Sequence, residues 1–314
     1  MSTLSFLFGA GVRVRNTLYD RGLFRARKLR GPVISVGNVS VGGSGKTPFV
    51  LLLGKLLKAR GVNFDVLSRG YGRNTRGIIL VDPKGNPRDF GDEPFLLARH
   101  LGVPVVVGEN RYQAGMFAEK KFGSQFHLLD DGFQHRGLAR QFDIVLITPE
   151  DSRDQLLPAG RLREPLTSLR RADAIVLTND EPADSLPLEG KRLWRVRRGI
   201  LPENIPPRPV VFCGIARPQD FLLQLRGAGI EPAAKAIYRD HHAYSEQDVS
   251  ALLKLREDHG AGGFVTTEKD AINLGEYLSA LKPLAIVPVK MELLDAANVV
   301  DTILRVVGER SLRA

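Results

Sequence analysis

The strongest local signal in the sequence is the segment Val33-Ile-Ser-Val-Gly-Asn-Val-Ser-Val-Gly-Gly-Ser-Gly-Lys-Thr-Pro48. An apolar run, a glycine-rich turn and a helix start follow one another in the order of a phosphate-binding P-loop. Ser40 stands where the usual P-loop pattern has its first glycine, and Pro48 suits a first helical turn. The order of these three parts predicts that the chain binds a nucleotide.

Each residue type in this loop has a separate part in holding phosphate. Glycines let backbone amides approach the phosphate oxygens, and the start of the helix attracts negative charge. Lys46 is expected to reach the β and γ phosphates, and the Thr47 hydroxyl is expected to ligate magnesium. The predicted nucleotide-binding residues of the loop are Gly42, Gly43, Ser44, Gly45, Lys46 and Thr47.

Short apolar runs alternate with helix-period segments after Pro32, which is typical of βαβ units around a parallel sheet. Predicted strands are Val33 to Val36, Phe64 to Leu67, Ile78 to Val81, Val103 to Val107, Phe126 to Leu129, Ile144 to Ile147 and Ala174 to Leu177. Predicted helices between them are Pro48 to Lys58, Glu93 to Leu101 and Arg111 to Lys121. The fold class is α/β, with a P-loop NTPase-like, mainly parallel sheet carrying helices on both faces.

A proline-rich, basic stretch at residues 181–209 predicts the connection to a second, smaller α/β domain. We therefore assign residues 1–30 to an N-terminal basic helix, 31–205 to the P-loop domain and 206–314 to the smaller domain. The last predicted helix, Ala296 to Val307, is compatible with packing on either domain.

Residues 3–30 predict a basic amphipathic helix. Its apolar positions are Leu4, Leu7, Phe8, Gly11, Val14 and Leu18, and its basic ones are Arg13, Arg15, Arg21, Arg25, Arg27, Lys28 and Arg30. The apolar run is shorter than the ~20 residues that span a bilayer. Two interpretations stay open, a peripheral anchor on a membrane surface or a helix packed on its own domain.

The net charge and the cysteine count limit the kinds of partner and site that the chain is expected to have. The formal net charge of +10 predicts anionic partners such as nucleotide phosphates, acidic lipids or a phosphorylated substrate. One cysteine, Cys213, excludes a disulfide within the chain and a multi-cysteine zinc site, which fits a reducing cytoplasm. No basic stripe with interleaved aromatic residues is evident, so nucleic acid is not an expected partner.

A P-loop needs a carboxylate at a neighbouring strand end to hold magnesium, and Phe126-His-Leu-Leu-Asp-Asp-Gly132 supplies two. Asp130 and Asp131 are the predicted metal residues, while a solvated turn or the strand around Asp143 are the alternatives. Asp92 precedes a helix, where an aspartate commonly caps, but it is also the spare acid that could accept a hydroxyl proton.

A series of motifs resembles the tetraacyldisaccharide 4'-kinases over nearly the whole chain. The motifs are Val41-Gly-Gly-Ser-Gly-Lys-Thr-Pro48, Ser68-Arg-Gly-Tyr-Gly-Arg73, Gly91-Asp-Glu-Pro94, Leu129-Asp-Asp-Gly-Phe-Gln-His135, Leu157-Pro-Ala-Gly-Arg-Leu-Arg-Glu-Pro165, Asp240-His-His242 and Thr267-Glu-Lys-Asp270. The resemblance implies a two-domain enzyme on the cytoplasmic face of the inner membrane. It implies transfer of the γ-phosphate of ATP, with Mg²⁺, to the 4'-hydroxyl of tetraacyldisaccharide 1-phosphate.

The same resemblance implies roles for particular residues. Lys46 joins the catalytic group, Asp92 becomes the catalytic base, and His241 pairs with Asp92, with His242 as the adjacent rival. Gln134 is expected to shape the nucleotide site. Residues expected to meet the transferred phosphate or the acceptor are Arg69, Tyr71, Arg73, Arg161 and Arg163. The alternative function is a P-loop NTPase switch or metallochaperone-like protein that acts on a protein partner.

Overall fold

The structure, a computed structural model, describes residues 3–178, 186, 188 and 190–312. Its helices are α1 Thr3–Asp20, α2 Lys46–Ala59, α3 Pro87–Phe90, α4 Asp92–Leu101, α5 Arg111–Phe122, α6 Pro218–Gly227, α7 Glu246–Asp258, α8 Glu268–Leu274 and α9 Ala296–Leu312. Its strands are β1 Val33–Asn38, β2 Phe64–Ser68, β3 Ile79–Leu80, β4 Val105–Val107, β5 Phe126–Asp130, β6 Phe142–Leu146, β7 Ala174–Thr178, β8 Arg192–Ile200, β9 Val210–Cys213, β10 Ala234–Ile237, β11 Phe264–Thr267, β12 Leu284–Val287 and β13 Val289–Leu293.

A nine-stranded sheet forms the larger unit, in the order β13-β8-β7-β6-β1-β5-β2-β4-β3. Pairing within it is parallel except at its two edges, where β13 and β3 run antiparallel to their neighbours. The predicted strands between Val33 and Leu177 are present, with ends displaced by at most two residues. The mainly parallel α/β fold is confirmed, and β1 lies at its centre between β5 and β6.

Helices cover both faces of this sheet, as predicted. Alternate residues of a strand point to opposite faces. Ile34 accordingly packs in one core with Leu53 of α2 and Ile303 of α9, while Val33 packs in another with Ala118 of α5. The sheet is thus buried on both sides, which accounts for the unbroken apolar runs in its central strands.

A four-stranded parallel sheet, ordered β10-β9-β11-β12, forms the smaller unit. Leu252 of α7 packs with Phe212 on one face, and Leu225 of α6 packs with Val211 on the other. The second α/β unit predicted from the sequence is therefore present.

The end of the chain corrects the predicted assignment of residues 206–314. Strand β13 pairs with β8 of the larger sheet, and α9 buries Val299 and Ile303 in the core of that sheet. Residues 289–312 therefore belong to the larger unit. Part of the predicted connection is also a strand, since β8 buries Trp194 and Val196 in alternation with exposed or half-buried arginines. Residues 181–185, 187 and 189 of that prediction lie outside the described residues.

Helix α1 ends at Asp20, so the predicted helix over residues 3–30 is too long, and an irregular segment follows it. The buried edge of α1 is small and polar: it comprises Ser5, Gly9, Val12 and Asn16. A Cβ on Gly9 would approach Leu156 Cδ1 to 2.8 Å, so glycine permits close packing here. Leu4, Phe6, Leu7 and Val14 of α1 are exposed.

Candidate active site

The P-loop runs from the end of β1 to the start of α2. Gly42, Gly43 and Gly45 have φ angles of 80°, 34° and 82°, a region that L side chains rarely adopt. Gly45 occupies the N-cap of α2 and supplies no side chain to cap the first helical amides. Those amides and the helix dipole are left to act on an anion, while Lys46 and Thr47 occupy the first turn.

Two carboxylates stand beside this loop because β5 is the parallel neighbour of β1, with Asp130 in register with Val36. Asp131 accepts two hydrogen bonds from Arg163, at 2.8 and 3.0 Å, and lies 3.6 Å from Lys46 Nζ. Asp130 is only 2% exposed, and its Oδ2 accepts from Ser68 Oγ at 3.1 Å. Asp130 Oδ1 is buried with no hydrogen-bond partner in the described part of the chain.

The surroundings push the pKa values of these two acids apart. Burial, together with the charges of Glu93 and Asp131, raises the pKa of Asp130 to about 7. Burial would also raise the pKa of Asp131, but Lys46 and Arg163 outweigh it and lower that pKa strongly. A cation at the free Oδ1 would favour the ionised form of Asp130. Oxygen ligands from Asp130 and Thr47 fit a magnesium ion, which prefers hard oxygen donors.

Across the cleft, Asp92 pairs with His241 of the smaller unit. His241 Nδ1 lies 2.9 and 3.1 Å from the two carboxylate oxygens. Burial opposes ionisation of Asp92, but the hydrogen bond with His241 and the charge of Lys269 outweigh it and lower the pKa of Asp92. Burial likewise opposes protonation of His241, and the bond with Asp92 overcomes it and raises the His241 pKa. The pair therefore holds an ionised carboxylate in a fixed orientation.

The geometry separates His241 from its rival. His242 Nε2 lies 3.1 Å from Asp248 Oδ2, and its ring stacks on Tyr238 with 4.5 Å between centroids. It therefore packs within the smaller unit, and His241 is the histidine that reaches Asp92. Tyr71 lies over His241 at 5.3 Å between ring centroids, which gives the predicted acceptor residue a place beside the pair.

Lys269 completes this cluster, and residue-level reasoning from the sequence assigned it no role. Its Nζ lies 3.1 Å from His241 Nε2 and from Asp240 Oδ1, and 3.7 Å from Asp92 Oδ2. A neutral imidazole that accepts from Lys269 at Nε2 carries its proton at Nδ1, facing Asp92. The only signal for Lys269 in the sequence is its place in the Thr267-Glu-Lys-Asp270 motif, where Asp270 is fully buried.

The P-loop, the strand-end acids and the Asp92–His241 pair line one cleft of about 710 Å³. Arg69, Tyr71 and Arg163 of the predicted substrate residues also line it. Arg163 holds Asp131 in the geometry described above. Two lining residues that no sequence motif identified are Arg198 and Arg217.

Three predicted site residues lie outside the residues that line this cleft. Arg73 has a nearly buried side chain and pairs with Glu109 at 2.7 Å, and Arg161 pairs with Asp154 at 2.9 Å. Gln134 donates to the carbonyl oxygen of Asn38 at 2.9 Å, beneath the P-loop. In the structure these side chains hold loops beside the cleft, and their predicted roles stay predictions.

A P-loop with acids at the neighbouring strand end, facing a carboxylate–histidine pair across a shared cleft, defines a phosphotransferase-type nucleotide site. The comparisons with known proteins give the family. The model of the family described as "Tetraacyldisaccharide-1-P 4'-kinase" matches residues 1–308. The chain belongs to the tetraacyldisaccharide 4'-kinase family, which confirms the resemblance seen in its motifs.

Relatives and a solved structure agree with this assignment. The chain is 50% identical over 320 residues to a tetraacyldisaccharide 4'-kinase of Koribacter versatilis, covering 99% of both chains. It is 38% identical to the protein of the same name from Geobacter metallireducens, covering 94% of both. The fold is similar to that of LpxK from Aquifex aeolicus, described as an "apo" form in complex with ATP, with a TM-score of 0.79, 36% identity and 96% and 97% coverage.

Proposed function

We propose that this protein transfers the γ-phosphate of ATP to the 4'-hydroxyl of tetraacyldisaccharide 1-phosphate in lipid A biosynthesis. The observation that carries the proposal is the Asp92–His241 pair, which lies on the same cleft as the P-loop. A switch that only hydrolyses nucleotide needs no such acceptor-side carboxylate. Family membership and the relatives' names favour the kinase over the NTPase switch.

Phosphate binding falls to the P-loop and Lys46. The loop amides and the α2 terminus hold the phosphate oxygens, and Lys46 neutralises charge on the transferring group. Arg163 and Lys46 keep Asp131 ionised, so Asp131 in turn fixes the position of Lys46. Asp130 and Thr47 would hold Mg²⁺, which shields the phosphate charge when bound. Asp130 is the direct ligand in this proposal because its Oδ1 has no hydrogen-bond partner in the part of the chain that the structure describes.

Acceptor activation falls to Asp92. Its carboxylate orients the 4'-hydroxyl and takes the hydroxyl proton as the new bond between that oxygen and the γ-phosphorus forms. The bond between the γ-phosphorus and the bridging oxygen breaks, and ADP leaves. His241 holds the carboxylate in place through the hydrogen bond at its Nδ1, and the positive charge of Lys269 stabilises the ionised form. Arg69 and Tyr71 are the proposed acceptor contacts.

The acceptor's acyl chains require contact with a membrane, and α1 provides a suitable surface. Leu4, Phe6 and Leu7 are each about 60% exposed on its outer side. Exposed basic residues flank them: Arg13, Arg21, Arg25, Arg27, Lys28 and Arg30. Among the described residues, no helix has the length and apolar character to cross a bilayer. We propose a peripheral position on the cytoplasmic face of the inner membrane, with α1 against the lipid.

The activity is tested by transfer of radiolabelled phosphate from magnesium ATP to tetraacyldisaccharide 1-phosphate in detergent micelles. We expect labelled lipid from the wild type and a loss of roughly 100-fold or more in kcat for Asp92→Asn, with nucleotide affinity kept. Asp89→Asn, on the neighbouring short helix, is the control. ATP hydrolysis without labelled lipid would support the switch instead.

The membrane surface is tested by sedimentation with anionic vesicles. A Phe6→Ser, Leu7→Ser double variant should partition less than the wild type, because it removes exposed apolar surface without touching the buried edge of α1. Leu223→Ser, at a 63% exposed leucine on α6, should partition like the wild type. Equal partitioning of both variants would remove α1 as the contact surface.

A further inference from the structure

Two arginines from outside the P-loop extend over it. Arg198 comes from β8, and a Cβ placed on Gly45 would lie 4.0 Å from its Nη1. Arg217 precedes α6 of the smaller unit, and a Cβ on Gly43 would lie 2.6 Å from its Cγ. Both line the cleft that holds the P-loop. Both arginine side chains therefore lie beside the P-loop glycines, on the cleft.

The positive charge of Arg198 is poorly compensated by the protein. Its Nε is buried without a hydrogen-bond partner, and within the described ranges no carboxylate lies within the 4 Å of an ion pair. Burial lowers the pKa of Arg198, and the attraction of Asp220 only partly offsets it while Arg217 adds to it. A half-buried cation that forms no ion pair loses hydration without a compensating contact, which is unfavourable. An anion bound in the cleft would compensate the positive charge of Arg198.

Within the described structure, Arg217, in contrast to Arg198, forms hydrogen bonds with neighbouring side chains. Its Nη1 donates to Glu150 at 2.7 Å and its Nη2 to Thr148 at 2.9 Å, while its Nε is buried and has no partner among the described residues. Glu150 and Thr148 follow β6 of the larger sheet, so these contacts tie the smaller unit to the larger one. They use two of the five N–H donors of Arg217 and fix the orientation of the other three.

We propose that Arg198 and Arg217 form a clamp that binds the nucleotide's phosphates together with the P-loop and Lys46, a proposal that rests on the nucleotide site of the proposed function. The guanidinium fork matches phosphate oxygens and stays charged when it is buried. Arg217 adds a contact from the smaller unit, so phosphate binding joins the two units. The clamp recognises the polyphosphate and not the base, since its neighbours are the P-loop glycines.

The test is direct binding of magnesium ADP and of AMP by titration calorimetry, without acceptor. Arg198→Met keeps an unbranched apolar stem and removes the guanidinium group with its charge, and we expect its Kd for ADP to rise roughly 10- to 100-fold, as for loss of a charged hydrogen bond. AMP, which lacks the β-phosphate, should show a much smaller change. The Kd of Arg198→Lys for ADP should lie between those of the wild type and Arg198→Met. Arg197→Met, an exposed arginine one position away on β8, is the matched control.

Urea unfolding of the unliganded proteins separates binding from folding. Arg198→Met should be about as stable as the control, because half-buried Arg198 forms no ion pair among the described residues that the substitution would break. An unchanged ADP Kd in Arg198→Met, or a loss of stability in both Arg198 variants that matches the loss of binding, would overturn the clamp. Failure of the wild type to bind ADP would overturn the nucleotide site itself.

Discussion

Replacing Lys269 with methionine removes the one cation that contacts Asp92 and His241 together in the described structure. Lys269 Nζ lies 3.1 Å from Asp240 and His241 Nε2, and 3.7 Å from Asp92 and Glu93. A hydrogen bond to a charged group contributes about 1.5–3 kcal/mol. The Lys269 side chain is 21% exposed, which favours the lower end of that range. We therefore expect kcat/KM to fall roughly 10-fold at neutral pH.

The pH profile gives the more specific result. Lys269 helps to lower the pKa of Asp92, so without it that pKa rises. The reaction requires the ionised carboxylate, and activity is lost as pH falls through the Asp92 pKa. In Lys269→Met the acid limb of kcat/KM should therefore move to higher pH, while the Kd for magnesium ADP stays the same.

The assay is label transfer measured across acid and neutral pH, with Lys254→Met as control. Lys254 is an exposed lysine on α7, away from the cleft. Lys269→Arg should restore part of the lost activity, since it keeps the positive charge. An acid limb that stays in place in Lys269→Met would refute the reasoning that Lys269 acts through Asp92.

The remaining predictions concern burial and charge elsewhere in the chain. Glu164→Gln should lower the free energy of unfolding by about 3 kcal/mol in urea, because it leaves the buried Arg171 without its 2.9 Å ion pair; a change below about 0.5 kcal/mol would contradict this. His127, fully buried 2.9 Å from Asp65, has a raised pKa, since the bonds to Asp65 and then Glu119 outweigh burial. The stability it contributes should be complete below its unfolded pKa of about 6.5 and lost as pH rises through the folded pKa, measured against His127→Gln; parallel pH profiles would argue against it. Asp130→Asn should abolish the magnesium-dependent part of ADP affinity, and in the wild type that part should grow as pH rises through about 7; an unchanged magnesium dependence would remove Asp130 as a ligand.

The sequence predicted those parts that depend on local pattern. The P-loop, the strand-end acids and the Asp92 helix each follow from a few adjacent residues, and the structure has them in the expected elements. Parallel strand ends meet at one edge of a sheet, so the placement of Asp130 beside the P-loop was also predictable.

Pairings between distant residues could not be derived from the spacing of residues. His241 lies 149 positions from Asp92, and the link between them came from the family resemblance. Lys269 and Arg198 reach the cleft because the smaller unit and β8 fold back on the P-loop, which no local pattern encodes. The side of α1 that packs on the protein could not be predicted either. Helical periodicity locates an apolar stripe but does not show what lies against it.

Transfer of phosphate to the 4'-hydroxyl of the lipid acceptor at the Asp92 site can be followed by phosphorus NMR of the lipid recovered after incubation with magnesium ATP, because the spectrum resolves the new phosphate from the one already at position 1. We expect a second monoester phosphate at the 4' position from the wild type, and none from Asp92→Asn over the same time. A product that carries phosphate elsewhere, or an equal yield from both proteins, would contradict it.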